Sequence, residues 1–146
     1  MTKILIKKLS KEIPLPKYET SGSSGMDLSA NIDKIIEIKP REVALIPTGL
    51  SISIPKGFEI QIRPRSGLAA NKGISVLNTP GTIDADYRGE IKVILINHGN
   101  ENFRVENGLR IAQMVLCPVI KAEIQEVSEL KDTKRGKGGF GSTGTK

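Results

Sequence analysis

Apolar residues recur at every second position along most of this chain. Leu50, Ile52 and Ile54 alternate with Ser51 and Ser53, and Phe58, Ile60 and Ile62 alternate with Glu59 and Gln61. Ile91, Val93 and Leu95 share one face of a strand, with Lys92, Ile94 and Ile96 on the other. A period of two is that of a β-strand with one face in a core. Where both faces are apolar, as over 91–96, the strand is expected to be covered on both sides. Turn residues interrupt the pattern at Asn31, Pro40, Gly49, Pro55-Lys56-Gly57, Gly73, Pro80-Gly81 and Asn97-His98-Gly99-Asn100. Many short strands with Gly/Pro turns predict an all-β sandwich, jelly roll or barrel. The one helical stretch is Ser66 to Lys72, about two turns.

Composition narrows the function classes. At 146 residues the chain suits one domain and leaves no room for a separate catalytic or binding module. The formal charge of +6 favours polyanions, either nucleic acid or a free nucleotide. Trp is absent and other aromatics are few, which argues against a nucleic-acid reader that works by base stacking. With one cysteine, Cys117, and one histidine, His98, neither an internal disulfide nor a structural zinc site can form. Any metal would be hard and held by oxygens. Cys117 lies in the apolar run 114–118 and is expected to be buried; His98 reads as a solvent-exposed turn residue. The apolar stretch at the N-terminus is too short for a signal sequence, and no run approaches a membrane span, so a cytoplasmic protein is expected.

Five segments break the strand pattern. In Ser24-Gly25-Met26-Asp27-Leu28, a carboxylate after a glycine turn could bind a metal or its water, or bond its own backbone. In Pro64-Arg65-Ser66-Gly67-Leu68, a helix start with a hydroxyl and an arginine is either a phosphate seat or a plain cap with a surface arginine. Between Asn78 and Glu90, Asp84, Asp86 and Tyr87 follow a Pro80-Gly81 turn. In an extended strand the two aspartates would be neighbours, repelling unless a cation lay between them. Arg110 and Gln113, beside an apolar strand, need partners: phosphate or a salt bridge. The last segment, Arg135 to Gly144, contains G-x-G-x-x-G at Gly139–Gly144 but lacks the preceding strand and following helix of a dinucleotide fingerprint. Its glycines still let backbone N–H groups close around phosphate oxygens. Ser142 and Thr143 add hydroxyls, Arg135 adds charge, and Phe140 offers a flat face to a base. From Lys131 the chain is Gly-, Lys- and Ser/Thr-rich and reads as a flexible, basic extension.

In this order and spacing, the five segments resemble the five motifs of the trimeric dUTPase family, from about Ser24 to Gly144. The long Gly-x-Ile-Asp-x-Asp-Tyr-Arg-Gly core is the most specific. One departure is Ser24, where the family commonly has alanine. The resemblance implies a jelly-roll-like β barrel with one short helix over 1–130, and a flexible Gly-rich C-terminal arm over 131–146 that closes over the active site. It implies a homotrimer whose sites are shared between subunits and hydrolysis of dUTP to dUMP and pyrophosphate, keeping uracil out of DNA and supplying dUMP for thymidylate synthesis. Asp84 matches the general base that activates the attacking water. Asp27 matches the carboxylate linked to the magnesium–triphosphate group through water. Arg65, Ser66 and Gly67 match phosphate contacts, and Gln113 matches a residue at the α-phosphate. Asn78 and the backbone of Gly81, Thr82 and Ile83 match the uracil-reading hairpin, and Tyr87 matches the ring packed on deoxyribose. Arg135, Phe140, Gly141, Ser142 and Thr143 match the closing tail. The expected cofactor is Mg2+, with no nucleic-acid or membrane partner.

Two other readings compete. A dCTP deaminase resembles this family in fold and assembly, but the full tyrosine hairpin and the Gly-rich tail favour dUTPase. A non-enzymatic nucleotide-binding trimer, or a basic nucleic-acid module, is disfavoured by Asp84, the intact tail, the sparse aromatics and the lack of a basic helix.

Overall fold

The structure is a computed structural model that describes residues 2–142. The alternation read in the sequence becomes ten strands and one helix. The strands are β1 (Leu5–Lys8), β2 (Met26–Ser29), β3 (Ile36–Ile38), β4 (Val43–Ser53), β5 (Phe58–Arg63), β6 (Ile74–Val76), β7 (Gly81–Ile83), β8 (Glu90–Asn97), β9 (Phe103–Val105) and β10 (Arg110–Pro118). The helix, α1 (Ser66–Lys72), lies between β5 and β6. Two four-stranded sheets, β1-β4-β8-β6 and β2-β10-β5-β7, are accompanied by the pair β3-β9, and every strand pairing is antiparallel. The result is a jelly-roll-like all-β fold whose sheets stay open rather than closing on themselves.

Each sheet turns one face inward. From the first come Ile46, Leu50, Ile52, Ile74, Val76, Ile91, Val93 and Leu95; from the second come Met26, Leu28, Ile60, Ile62, Ile111 and Met114. These form one continuous core, as an inward-facing period of two requires. The buried polar side chain Asn97 is fully paired. Its Nδ2 donates to the carbonyls of Ile38 and Glu101, both at 2.8 Å, and its Oδ1 accepts the Gly99 N–H at 2.8 Å. The end of β8 is thereby tied to β3 and to the turn that follows, with no donor or acceptor stranded.

Helix α1 occupies the stretch expected. Pro64 ends β5, and Gly73 ends the helix with φ 67, the left-handed conformation that glycine adopts without penalty. Two local expectations change. The outer face of β8 is only partly covered: Ile94 and Ile96 are half-buried, while the neighbouring Val43 and Leu45 are exposed. Cys117 is half-buried rather than buried, because it points to the outer face of β10, where Arg63 Nη2 lies 3.7 Å from its sulfur. His98 is exposed just beyond β8, as expected. After Pro118 the described residues carry no further strand or helix, and Ile120 and Ile124 are more than 90% exposed (96% and 94%).

Because Leu95 is fully buried between the sheets, Leu95→Ala is expected to destabilise the protein by about 2–5 kcal/mol. Urea denaturation should show the lowered midpoint, while Ile120→Ala should leave the folding of a single chain unchanged.

Candidate active site

The strand β7 and the turn after it gather one group of candidate residues. Asn78, Thr82, Ile83, Asp84 and Tyr87 line a cavity of about 360 Å³, together with Leu45, Glu90 and Lys92. Gly81 is buried, and a Cβ there would lie 3.3 Å from both the Asn78 side-chain amide and Ile62, a tight fit. Asp84 and Asp86 are not strand neighbours: β7 ends at Ile83, and the chain turns so that the Tyr87 N–H donates to the Asp84 carbonyl at 3.1 Å. Both aspartates are exposed, and both also line a larger cavity of about 820 Å³ with Lys56, Phe58, Glu59 and Lys121. That cavity holds little else of the expected site; the smaller one holds the hairpin set. Asp84 stands at the edge of each, where a carboxylate can meet a water and a substrate together.

A second group assembles at the far end of β5, around Asp27. Cross-strand pairing puts Asp27 opposite Gln113 and Gln113 opposite Arg63. Arg65 reaches back from the residue before α1, and its Nε donates to Asp27 Oδ1 at 3.0 Å; Arg110 Nη1 donates to Oδ2 at 3.0 Å. Arg65 Nη1 also donates to the Arg110 carbonyl at 3.2 Å. Gln113 Nε2 donates to the Pro64 carbonyl at 2.9 Å. Its Oε1 lies where a Cβ on Gly25 would stand, 2.2 Å away, so no larger residue fits there without moving the amide. Ser66 and Gly67 are exposed at the start of α1, whose first turn has no acidic residue to repel an anion. Each arginine spends one or two N–H groups on its anchors and keeps the others free, a preorganised donor set for phosphate. Arg110 makes the salt bridge that was one of its two possible partnerships, with Asp27.

Among the described residues, no group of three or more His, Cys, Asp or Glu side chains could hold a metal ion. Magnesium rarely needs such a cage, since it keeps several waters and is carried by substrate phosphates with one or two carboxylates. Asp27 fits that role: two of a carboxylate's roughly four lone-pair positions are used by the arginines, leaving room for a water.

The hairpin group and the Asp27 group share no cavity among those that line either. A sequence model of the dUTPase family matches residues 11–144. The chain belongs to the dUTPase family. It is 61% identical over 142 residues to the deoxyuridine 5'-triphosphate nucleotidohydrolase of Nautilia profundicola, covering 97% of this chain and 99% of the relative. It is 58% identical over 138 residues to that of Brucella melitensis, covering 93% and 88%. The Staphylococcus bacteriophage 80alpha dUTPase with dUPNHPP is similar in structure with a TM-score of 0.88 at 26% identity, covering 99% of this chain and 100% of that one.

In this dUTPase family member, the described tail residues Arg135, Phe140, Gly141 and Ser142 line none of the cavities that hold the two groups. Arg135 Nε donates to the Gly138 carbonyl at 2.9 Å, and Gly141 and Ser142 are exposed, as is the Phe140 ring. Thr143 lies outside the described residues. Three cavity residues were not foreseen: Leu45, Glu90 and Lys92. The period of two places Glu90 and Lys92 on one outward face of β8, and that signal could have found them. Nothing local marks Leu45, which arrives through the pairing of β4 with β8.

Asp27→Ala would release both arginines. The added net positive charge favours a polyanion, but loose donors work against it, and a displacement of about 1 Å can cost about a hundredfold in rate. The positional loss is therefore expected to dominate: kcat/KM for dUTP should fall about a hundredfold, and extra magnesium should not restore it. Steady-state kinetics of the variant across magnesium concentrations checks this.

Proposed function

We propose that this chain hydrolyses dUTP to dUMP and pyrophosphate, as a homotrimer whose sites are shared between subunits. The observation that carries the reading is the cavity that brings Asp84 together with Asn78, Thr82, Ile83 and Tyr87. Family membership supplies the reaction, and the relatives bear its name.

In this reading, uracil enters the hairpin cavity and meets the backbone of Gly81, Thr82 and Ile83, with Asn78 assisting. A site that pairs every edge atom of uracil rejects cytosine, whose donor and acceptor are exchanged. The Tyr87 ring lies along the deoxyribose face and leaves no room for a 2′-hydroxyl. Arg65, Ser66, Gly67 and Gln113 take the phosphates. Asp84 accepts a proton from water as the water oxygen bonds to the α-phosphorus. The bond to the bridging oxygen breaks, and its electron pair leaves with pyrophosphate. Phosphoryl transfer asks a protein mainly for positioning and charge neutralisation. Magnesium, bound with the substrate and held through water by Asp27, would supply part of that neutralisation.

Two features support a shared site. One chain keeps its base-reading and phosphate-binding groups apart, so a second copy can bring them together. Apolar side chains also lie open on the outer face of β4 and along 119–130: Val43, Leu45, Ile120, Ile124 and Leu130. Buried between subunits, these would contribute to assembly. On this reading 1–130 is the β domain and 131–146 the arm that closes over a neighbour's site, where Phe140 meets uracil, and Arg135, Gly141, Ser142 and Thr143 meet the γ-phosphate end. The proposed location is the cytoplasm, and the proposed partners are dUTP and the chain's own copies, with neither nucleic acid nor membrane.

Asp84→Asn is expected to leave dUTP binding nearly intact and to lower turnover by about two orders of magnitude or more; pyrophosphate release measures it. Near-normal turnover would move the base elsewhere, with Asp86 next.

Sharing of the tail has a counting test. An Asp84→Ala chain and a chain ending before Lys134 should each be nearly inactive. Co-expressed at equal amounts, about three quarters of trimers are mixed, and each mixed trimer holds one site with both Asp84 and a tail. Activity near one quarter of wild type is expected. Background activity in trimers shown to be mixed would mean that each tail serves its own chain.

A further inference from the structure

Gly89 has no obvious reason to be glycine. It is not among the glycines with positive φ, so its backbone is one that an alanine could adopt. What excludes a larger residue is the side chain two positions earlier. A Cβ at Gly89 would lie 2.4 Å from Tyr87 Oη, 2.6 Å from Cζ and 3.0 Å from Cε2. The Tyr87 ring therefore folds back over the Gly89 backbone, in the space that a methyl group would take. Its hydroxyl then donates to the Glu90 carbonyl at 2.9 Å.

The next residue is itself held in place. Glu90 Oε1 accepts the Gly49 N–H at 2.9 Å, at the irregularity of β4 between Pro47 and Ser51, and Lys92 Nζ lies 3.9 Å from its Oε2. On the other side, Arg88 Nη1 donates to the carbonyls of Ala85 and Tyr87 at 2.7 and 2.8 Å, and the Tyr87 N–H closes the turn onto Asp84. The backbone on both sides of Gly89 is thus fixed, while the Tyr87 side chain is 43% exposed and has only two rotatable bonds to adjust. If a methyl group is added, the ring moves before the backbone does.

We propose that Gly89 and the Glu90 carbonyl form a seat for the Tyr87 ring, and that this seat sets how far the ring reaches over the cavity and hence which sugar the site accepts. Gly89 is a positioning residue that acts through Tyr87 and touches no substrate. The inference rests on the reading of Tyr87 as the ring that packs on deoxyribose.

Four variants test it in the full-length protein: Gly89→Ala, Tyr87→Phe, Tyr87→Ala and the Gly89→Ala/Tyr87→Ala pair, each assayed with dUTP and UTP. Gly89→Ala is expected to raise KM for dUTP and lower the dUTP-over-UTP preference about tenfold, with kcat changed far less, since about a tenfold effect is what a misfit of one methyl group gives. Tyr87→Phe keeps the seat and loses only the hydroxyl bond, so its preference should fall by less. In the Tyr87→Ala background, Gly89→Ala should add nothing, because the group it displaces is gone. The ring can also be observed directly. The chain has no tryptophan and two tyrosines, so Tyr18→Phe leaves Tyr87 as the sole tyrosine reporter. Its fluorescence anisotropy should fall when Gly89→Ala is added and the ring leaves its seat.

Unchanged sugar preference in Tyr87→Ala would overturn the reading of Tyr87 itself. A relaxed preference in Tyr87→Ala with none in Gly89→Ala would overturn the seat alone. Additive effects in the pair would also overturn it, since Gly89 would then act by another route. Should Gly89→Ala fail to fold, Tyr87→Phe decides: a dUTP-over-UTP preference equal to wild type overturns the seat.

Discussion

β5 is hydrogen-bonded on both sides, to β10 along its length and to β7 over three residues, and both halves of the site depend on those two registers. On one side Arg63 pairs with Gln113, which pairs in turn with Asp27 on β2, so three strands present one row at the same level. Pro64 then ends the strand, and the next residue, Arg65, turns back onto Asp27. On the other side Ile62 pairs with Gly81, which fixes where the hairpin carrying Asp84 emerges. A slip of one residue would turn Ile60 and Ile62 out of the core and shift both groups together. Core burial locks the register, and the register places the chemistry.

Much of this was legible in the sequence because it depends on local periodicity. The alternation over 50–62 and 91–96 reads directly as strands, and Pro64 and Gly73 bracket the helix because each has a backbone reason to end an element. What escaped depends on a turn or on the other strands. The aspartates 84 and 86 look like strand neighbours, but a backbone hydrogen bond from Tyr87 bends that segment into a turn. Arg110 meets a carboxylate 83 residues away, which no local spacing reveals. Cys117 sits in an apolar run, yet the run straddles both faces of β10 and the cysteine is on the outer one. The composition changes at Lys131, whereas regular structure ends at Pro118. Apolar residues between the two, such as Ile120 and Ile124, keep the sequence looking like a domain where a lone chain has nothing to cover them.

The positive charge of the chain is likewise better understood by where it is held than by how much there is. Arg65 and Arg110 are tethered to one carboxylate, so their remaining N–H groups are already ordered. Lys131, Lys134, Arg135 and Lys137 in the last stretch are exposed, and an ordering cost falls on whatever binds them.

The order of strands within each sheet carries one more consequence. The inner strands are the long ones, with eleven residues in β4, eight in β8, nine in β10 and six in β5, while β1, β6, β2 and β7 at the edges have only three or four. An exposed edge is where unpaired N–H and C=O groups can recruit a foreign strand, and the hazard grows with its length. Short edges offer little template for cross-β growth, so the sheets are guarded against fibril formation even though the chain is rich in isoleucine, a residue of high β-propensity.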